Sequence, residues 1–139
     1  MVITKNVQVE TKGNCDIIDI TSQAAKAVAE SGIKAGTATL FNVGSTAAIT
    51  TTEYEPGLVK HDIKAAFEKI APQNSQYRHE ETWHDDNGHA HVRATLLGPS
   101  LVVPIVDGKL TLGTWQQIVL IDFDTSPRSR RVICQIIGE

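Results

Sequence analysis

Aromatic residues are scarce: Phe, Trp and Tyr make up 5% of the 139 residues. A core in this chain therefore has to be built from Val, Ile, Leu and Ala. Cysteine is scarcer still, with Cys15 and Cys134 far apart and in no CxxC pair. That excludes a disulfide framework and reads as two buried thiols in a reducing cytoplasm. There is no basic excess either, the net charge being −3 and the pI about 5.9. Nucleic-acid binding normally needs cationic side chains to displace phosphate counterions, so nucleic acid is not an expected partner. Long apolar runs are absent, since residues 96–106 are interrupted by Gly98, Pro99, Ser100 and Pro104. Nothing reaches the roughly 18 apolar residues of a membrane span, and Lys5, Glu10 and Lys12 do not suit a signal peptide. The expectation is a cytoplasmic protein with no membrane partner.

What is present fits one ordinary domain over residues 1–139, with 41% hydrophobic and 21% charged residues. Residues 2–11 alternate in the manner of a half-buried strand. Asp19 or Thr21 can cap a helix through Ala24, Ala25, Val28 and Ala29, which Gly32 ends. Residues 37–43 alternate again and lead into the small-residue segment Gly44-Ser45-Thr46-Ala47-Ala48. Pro56 suits the first turn of a second helix with an apolar stripe of Leu58, Val59, Ile63, Ala66, Phe67 and Ile70, and Pro72 stops it. From His89 onward, residues 89–97, 101–106, 109–123 and 131–137 read as strands, with a two-residue hairpin at Asp107-Gly108. The fold class expected is α+β, with two helices packed on a mainly antiparallel sheet. Residues 72–88 read as a polar, irregular loop, and a loop this long in a small domain is often functional.

Four of the five histidines fall between positions 79 and 91. On a strand, His89 and His91 would share a face and could converge on one ion, with Glu80, Asp85 or Asp86 as oxygen ligands. Arg128 and Arg130 would likewise share a face, and two guanidinium forks suit a phosphate or carboxylate. The alternative is that they pair with Asp122, Asp124 or a neighbouring subunit. Ser45 and Thr46 could hold an anion or merely form a tight turn, since the segment matches neither GxxxxGK[ST] nor GxGxxG. Trp115 and Gln117 would face opposite to Gln116 on a long strand, with Trp115 in a core.

Taken in order, the pieces resemble one family. They are Gly44-Ser45-Thr46-Ala47-Ala48, Glu53, Pro72, Tyr77, His79, Asn87, His91, Gly98-Pro99-Ser100 and Pro104, then Gly108-Lys109-Leu110-Thr111-Leu112-Gly113-Thr114-Trp115-Gln116 and Pro127-Arg128-Ser129-Arg130. The chain resembles the YjbQ family, also called UPF0047, the secondary thiamine-phosphate synthase group, over about residues 3–137. The resemblance implies an α+β homotrimer with a weak activity that joins a pyrimidine diphosphate to a thiazole phosphate. It implies catalytic roles for His79, Asn87, His91 and Glu53, and contacts to a phosphorylated ligand from Ser45, Thr46, Trp115, Gln116, Arg128 and Arg130. A divalent metal, zinc or magnesium, is expected at His79 and His91, with His89 as the alternative partner. The chain departs from the family pattern where Gly44 replaces a histidine, Thr52 an asparagine and Asp122 a glutamate, a form resembling archaeal members. His84 and His89 match no family position. The missing histidine keeps a second function open, a trimeric metal- and phosphate-ligand-binding protein without significant catalysis.

Overall fold

In a computed structural model covering residues 1–139, all strand pairing is antiparallel and falls into two sheets. The elements are β1 (Val2–Thr11), β2 (Asp16–Asp19), α1 (Thr21–Ser31), β3 (Gly36–Val43) and β4 (Ala47–Thr52). A π-helical turn (Leu58–Asp62) then runs into α2 (Ile63–Ile70), followed by α3 (His79–Trp83), α4 (Gly88–Leu97), β5 (Ser100–Val106), β6 (Lys109–Leu110), β7 (Gln117–Asp122) and β8 (Arg128–Gly138). One sheet has five strands in the order β1-β8-β3-β5-β6, and the other has three in the order β2-β7-β4. The α+β class stands, with four helices and two sheets in place of two helices on one sheet.

Period-two patterning builds the main core. Val7 and Val9, Ala38 and Leu40, Val103 and Ile105, and Val132, Cys134 and Ile136 all face inward from the five-stranded sheet. They meet Ile49, Ile118 and Leu120 of the three-stranded sheet and Ala24, Ala27 and Val28 of α1. The helix buries these small residues while Ala25 and Ala29 stay in solvent, and Gly32 ends it in the left-handed region at φ 75°. Asp19 accepts the Thr21 N–H at 2.9 Å just before the helix begins. β7 is buried on both faces: Val119 and Ile121 point away from the main core into a second cluster with Cys15, Ile17, Ala90, Ala94 and Phe123. Val59, Ile63 and Phe67 cover that cluster, whereas Ile70 is exposed. Both cysteines are free and buried. No helix is long and apolar enough to cross a membrane.

Two strand expectations fail. Residues 88–97 form α4, because the buried positions Gly88, His89, Ala90, Arg93 and Ala94 follow a helical spacing, and the Asn87 carbonyl accepts the Ala90 and His91 N–H groups. A short apolar run does not by itself distinguish a strand from a buried helix. Residues 109–123 are not one strand. After β6 the chain turns at Gly113, whose carbonyl accepts the Gln116 N–H at 3.0 Å and whose N–H donates to Gln116 Oε1 at 3.1 Å. Trp115 therefore lies in a loop and is 73% exposed, the opposite of a core tryptophan. The Asp107-Gly108 hairpin forms as expected, with φ 50° and 74°.

Candidate functional site

One end of the three-stranded sheet gathers the chemistry. β7 leaves the core at Asp122, the turn 44–46 leads into β4 beside it, and β8 starts at Arg128. Phe123 N–H donates to the Thr46 carbonyl at 3.0 Å, and Asn14 N–H donates to the Asp124 carbonyl at 2.6 Å, so backbone bonds from two directions fix the 122–125 segment.

Arg130 and Asp122 form the centre. Arg130 Nε donates to Asp122 Oδ2 at 2.7 Å, and Nη2 donates to Oδ1 at 2.8 Å and to Thr46 Oγ1 at 2.7 Å. Asp122 has no exposed surface and also accepts from Thr11 Oγ1 at 2.6 Å and from Asp124 N–H at 3.0 Å. Such a two-bond fork is the strongest way to compensate a buried carboxylate. Arg128 reaches Asp124 Oδ2 at 3.3 Å while remaining about half exposed. Both arginines thus do pair with Asp122 and Asp124, within one subunit.

Asp124 links this centre to the histidines. Its Oδ2 accepts from Thr46 Oγ1 at 2.9 Å, and its Oδ1 accepts from Thr125 N–H at 2.8 Å and Asn87 Nδ2 at 3.4 Å. Burial works to raise the Asp124 carboxyl. The hydrogen bonds from Thr125 and Thr46, the Arg128 charge and the Asn87 amide outweigh it and hold the group below its ordinary range. Thr125 Oγ1 also donates to Asp86 Oδ1 at 2.8 Å.

Beyond Asn87, the rings of His79 and His91 lie 4.5 Å apart. His79 Nδ1 is enclosed and lies 3.0 Å from Asp85 Oδ1 and 3.6 Å from Glu80 Oε1, yet neither carboxylate is aligned for a hydrogen bond with it. The ligand atoms of His79, Glu80 and Asp85 all lie within 4.8 Å of one another. That donor set of one imidazole and two carboxylates is chemically suited to a divalent cation. Glu80 Oε1 also accepts the Gly88 N–H at 2.6 Å, which ties α3 to the start of α4.

His89 does not share a face with His91. On a helix, residues two apart point in nearly opposite directions. His89 is buried at 2% exposure in the layer behind the site, near Tyr77 and Arg93, and burial and the Arg93 charge both lower its pKa. Arg93 is itself held by the Ala71 carbonyl at 2.9 Å and Glu68 Oε1 at 2.7 Å.

The remaining expected residues lie elsewhere. Glu53, Trp115 and Gln116 sit at the other end of β4 and β7, roughly 20 Å away by the strand rise. Glu53 and Trp115 line an open groove with Asp19, Tyr54 and Gln117, and Gln116 donates to Thr51 Oγ1 at 3.0 Å. Within one chain the ten candidates therefore divide into a histidine–arginine end and a glutamate–tryptophan end. Thr11 and Asn42, which brace the first end, were invisible in the sequence, because Thr11 precedes Asp122 by 111 positions and neither belongs to a motif.

The fold and this end of the sheet define the protein as an α+β two-sheet domain of the YjbQ type, with a polar site where β7, β8 and α4 meet. The sequence model described as "UPF0047 protein YjbQ-like" matches residues 5–139, and the chain belongs to that family. It is 41% identical over 128 residues to a UPF0047 protein of Archaeoglobus fulgidus, covering 92% of this chain and 96% of that one. It is 33% identical to the UPF0047 protein YugU of Bacillus subtilis, covering 96% and 98%. Among solved structures, a YbjQ-like protein of unknown function from Sulfolobus solfataricus superposes with a TM-score of 0.94 at 37% identity, over 100% of this chain and 99% of that one. A YjbQ/UPF0047 protein from Clostridium acetobutylicum gives 0.86 at 40% identity, over 96% and 99%.

Proposed function

We propose that this protein is a homotrimeric, thiamine-phosphate-synthase-like protein that couples a pyrimidine diphosphate to a thiazole phosphate as a weak or side activity. In that reaction a C–N bond forms at the pyrimidine methylene, the C–O bond to the diphosphate breaks, and pyrophosphate departs with the electron pair. The observation that carries the reading is the continuous hydrogen-bonded run from Arg130 through Thr46, Asp124 and Asn87 to the neighbourhood of the His79–His91 pair. It sets guanidinium donors beside a cluster with the donor atoms of a cation site. His79, with Glu80, Asp85 and His91, would hold a divalent metal, zinc or magnesium, which when bound supplies positive charge against a departing diphosphate. Arg128 is the guanidinium with the most free capacity for a phosphate, since Arg130 is largely committed to Asp122.

The trimer accounts for the other end of the molecule. Glu53, Trp115 and Gln116 would complete a neighbouring subunit's site, since one chain alone keeps them far from its own histidines. The uncovered face of the five-stranded sheet supports association, because Phe41, Val102, Val106 and Ile137 stand exposed on it. Light scattering should give three subunits, and a one-subunit mass at micromolar concentration would contradict the trimer.

A second reading, a trimeric binding protein without significant catalysis, is favoured by Gly44, which places no imidazole at the turn beside Arg130. The assay that decides between them supplies both thiamine precursors and Mg²⁺ and measures thiamine phosphate, with Arg128→Ala as control. Product above the control supports the synthase reading. Product equal to the control leaves the binding reading.

A further inference from the structure

We infer that the turn Gly44-Ser45-Thr46, with Nη1 of Arg130, is an oxyanion-binding notch that grips one phosphoryl group through backbone N–H donors. The inference rests on the phosphate-site reading above and deepens it by assigning the grip to the turn and not to the pair of arginine forks.

In the cluster around Asp122 and Asp124, three of the four carboxylate oxygens accept two hydrogen bonds each, and Asp124 Oδ2 accepts one from Thr46 Oγ1 and lies 3.3 Å from Arg128 Nη2. Around the turn donors are left over, and the buried Asn42 Oδ1 and Asn87 Oδ1 also lack partners. The N–H groups of Gly44, Ser45 and Thr46 have no acceptor in the chain. Arg130 is 92% buried (8% exposed), and its Nε and Nη2 are engaged while Nη1 has no partner. Unpaired donors grouped at one turn, beside carboxylates that are already engaged, are completed by an acceptor ligand. Successive unpaired backbone N–H groups at a turn are a recurrent way to bind an anion.

Gly44 keeps the notch open. Its φ of +142° disfavours an L side chain, and a Cβ there would stand 3.0 Å from Arg130 Nη1 and 3.6 Å from Asn42 Nδ2. Both hydrogens of that amide are used, on the Gly44 and Ala47 carbonyls, so the space over Gly44 faces one free guanidinium nitrogen and no acceptor. Two arginines and two aspartates leave the cluster formally neutral, so the notch selects its ligand by donor geometry more than by long-range attraction. The ligand class is a phosphate monoester or the end of a diphosphate.

The test is a titration of the wild-type protein with inorganic pyrophosphate in EDTA, followed by ¹⁵N–¹H NMR. The notch predicts saturable shifts of the Gly44, Ser45 and Thr46 amides and of the Arg130 guanidinium. Gly44→Ala should weaken binding about tenfold or more, with its melting temperature measured alongside. Saturable shifts at Arg128 and residues 79–91 with 44–46 unmoved would overturn the notch and leave the phosphate reading in place. No saturable shift anywhere would overturn both. A folded Gly44→Ala that binds like wild type would also overturn the notch, and should that variant not fold, the wild-type amide shifts decide alone.

Discussion

The two ends of the β2-β7-β4 sheet are built on opposite principles. At the Asp122 end, charged side chains are buried and paired, and four hydrogen-bond donors converge on one carboxylate. At the Thr52 end, Glu53 and Trp115 carry the family pattern yet stand in the open, with Trp115 73% exposed. Polar residues that hold the chain together and polar residues presented outward are thus separated along the same three strands. A motif residue is therefore no guide to its own burial. Arg128 and Arg130 share a face of β8, but the first is half exposed and the second is part of the interior.

The sharpest way to break this comparison is to remove Arg130. Arg130→Ala leaves Asp122 buried without its main partner, which should cost about 3–5 kcal/mol. Chemical denaturation measures it, and a loss below about 1 kcal/mol would show that the centre is not structural. Phe123→Ala, in the second cluster against Phe67 at 4.8 Å between ring centroids, should cost a comparable 3–5 kcal/mol. An effect that small at Arg130 but large at Phe123 would place all the stabilisation in apolar packing.

A smaller effect is expected from pH. The Asp124 carboxyl is depressed in the native state, so its contribution is fully present above the ordinary carboxylate pKa and is lost as pH falls through the depressed native value. Asp124→Asn should remove that part of the acid sensitivity, seen as a flatter melting temperature between pH 5 and 2 (roughly the window of carboxylate linkage). An unchanged slope would mean that the coupling through Thr46 and Thr125 is energetically silent. The smallest effect belongs to the other end: Trp115→Ala should alter subunit stability by no more than about 0.5 kcal/mol, as at ordinary exposed positions. A larger loss in the isolated subunit would mean that Trp115 packs against the domain and is not exposed.

Much of this was legible in the residues. The alternation of Val7 and Val9 with polar neighbours placed β1, the spacing of Ala24 and Val28 placed α1, and Asp107-Gly108 placed its hairpin. His79 and His91, both singled out in the sequence, lie with their rings 4.5 Å apart. The rest depended on facts a one-dimensional pattern does not hold. Residues 89–97 read as a strand because their amphipathic stripe is too weak to mark a helix, His89 and Arg93 being buried polar residues in its apolar face. The separation of Glu53 and Trp115 from the histidines follows from β4 and β7 running the full depth of the core, which local spacing does not report. The braces at Thr11 and Asn42 are long-range pairings with no local signature.

The divalent-cation site proposed at His79 and His91, with the carboxylates of Glu80 and Asp85, can be tested without any assay of activity. Metal content measured after purification and exposure to Zn²⁺, followed by exhaustive dialysis, tests it most directly. About one ion per subunit is expected in the wild type and none retained in the His79→Ala, His91→Ala double variant, with the fold intact by circular dichroism. Equal metal content in the two proteins would contradict it.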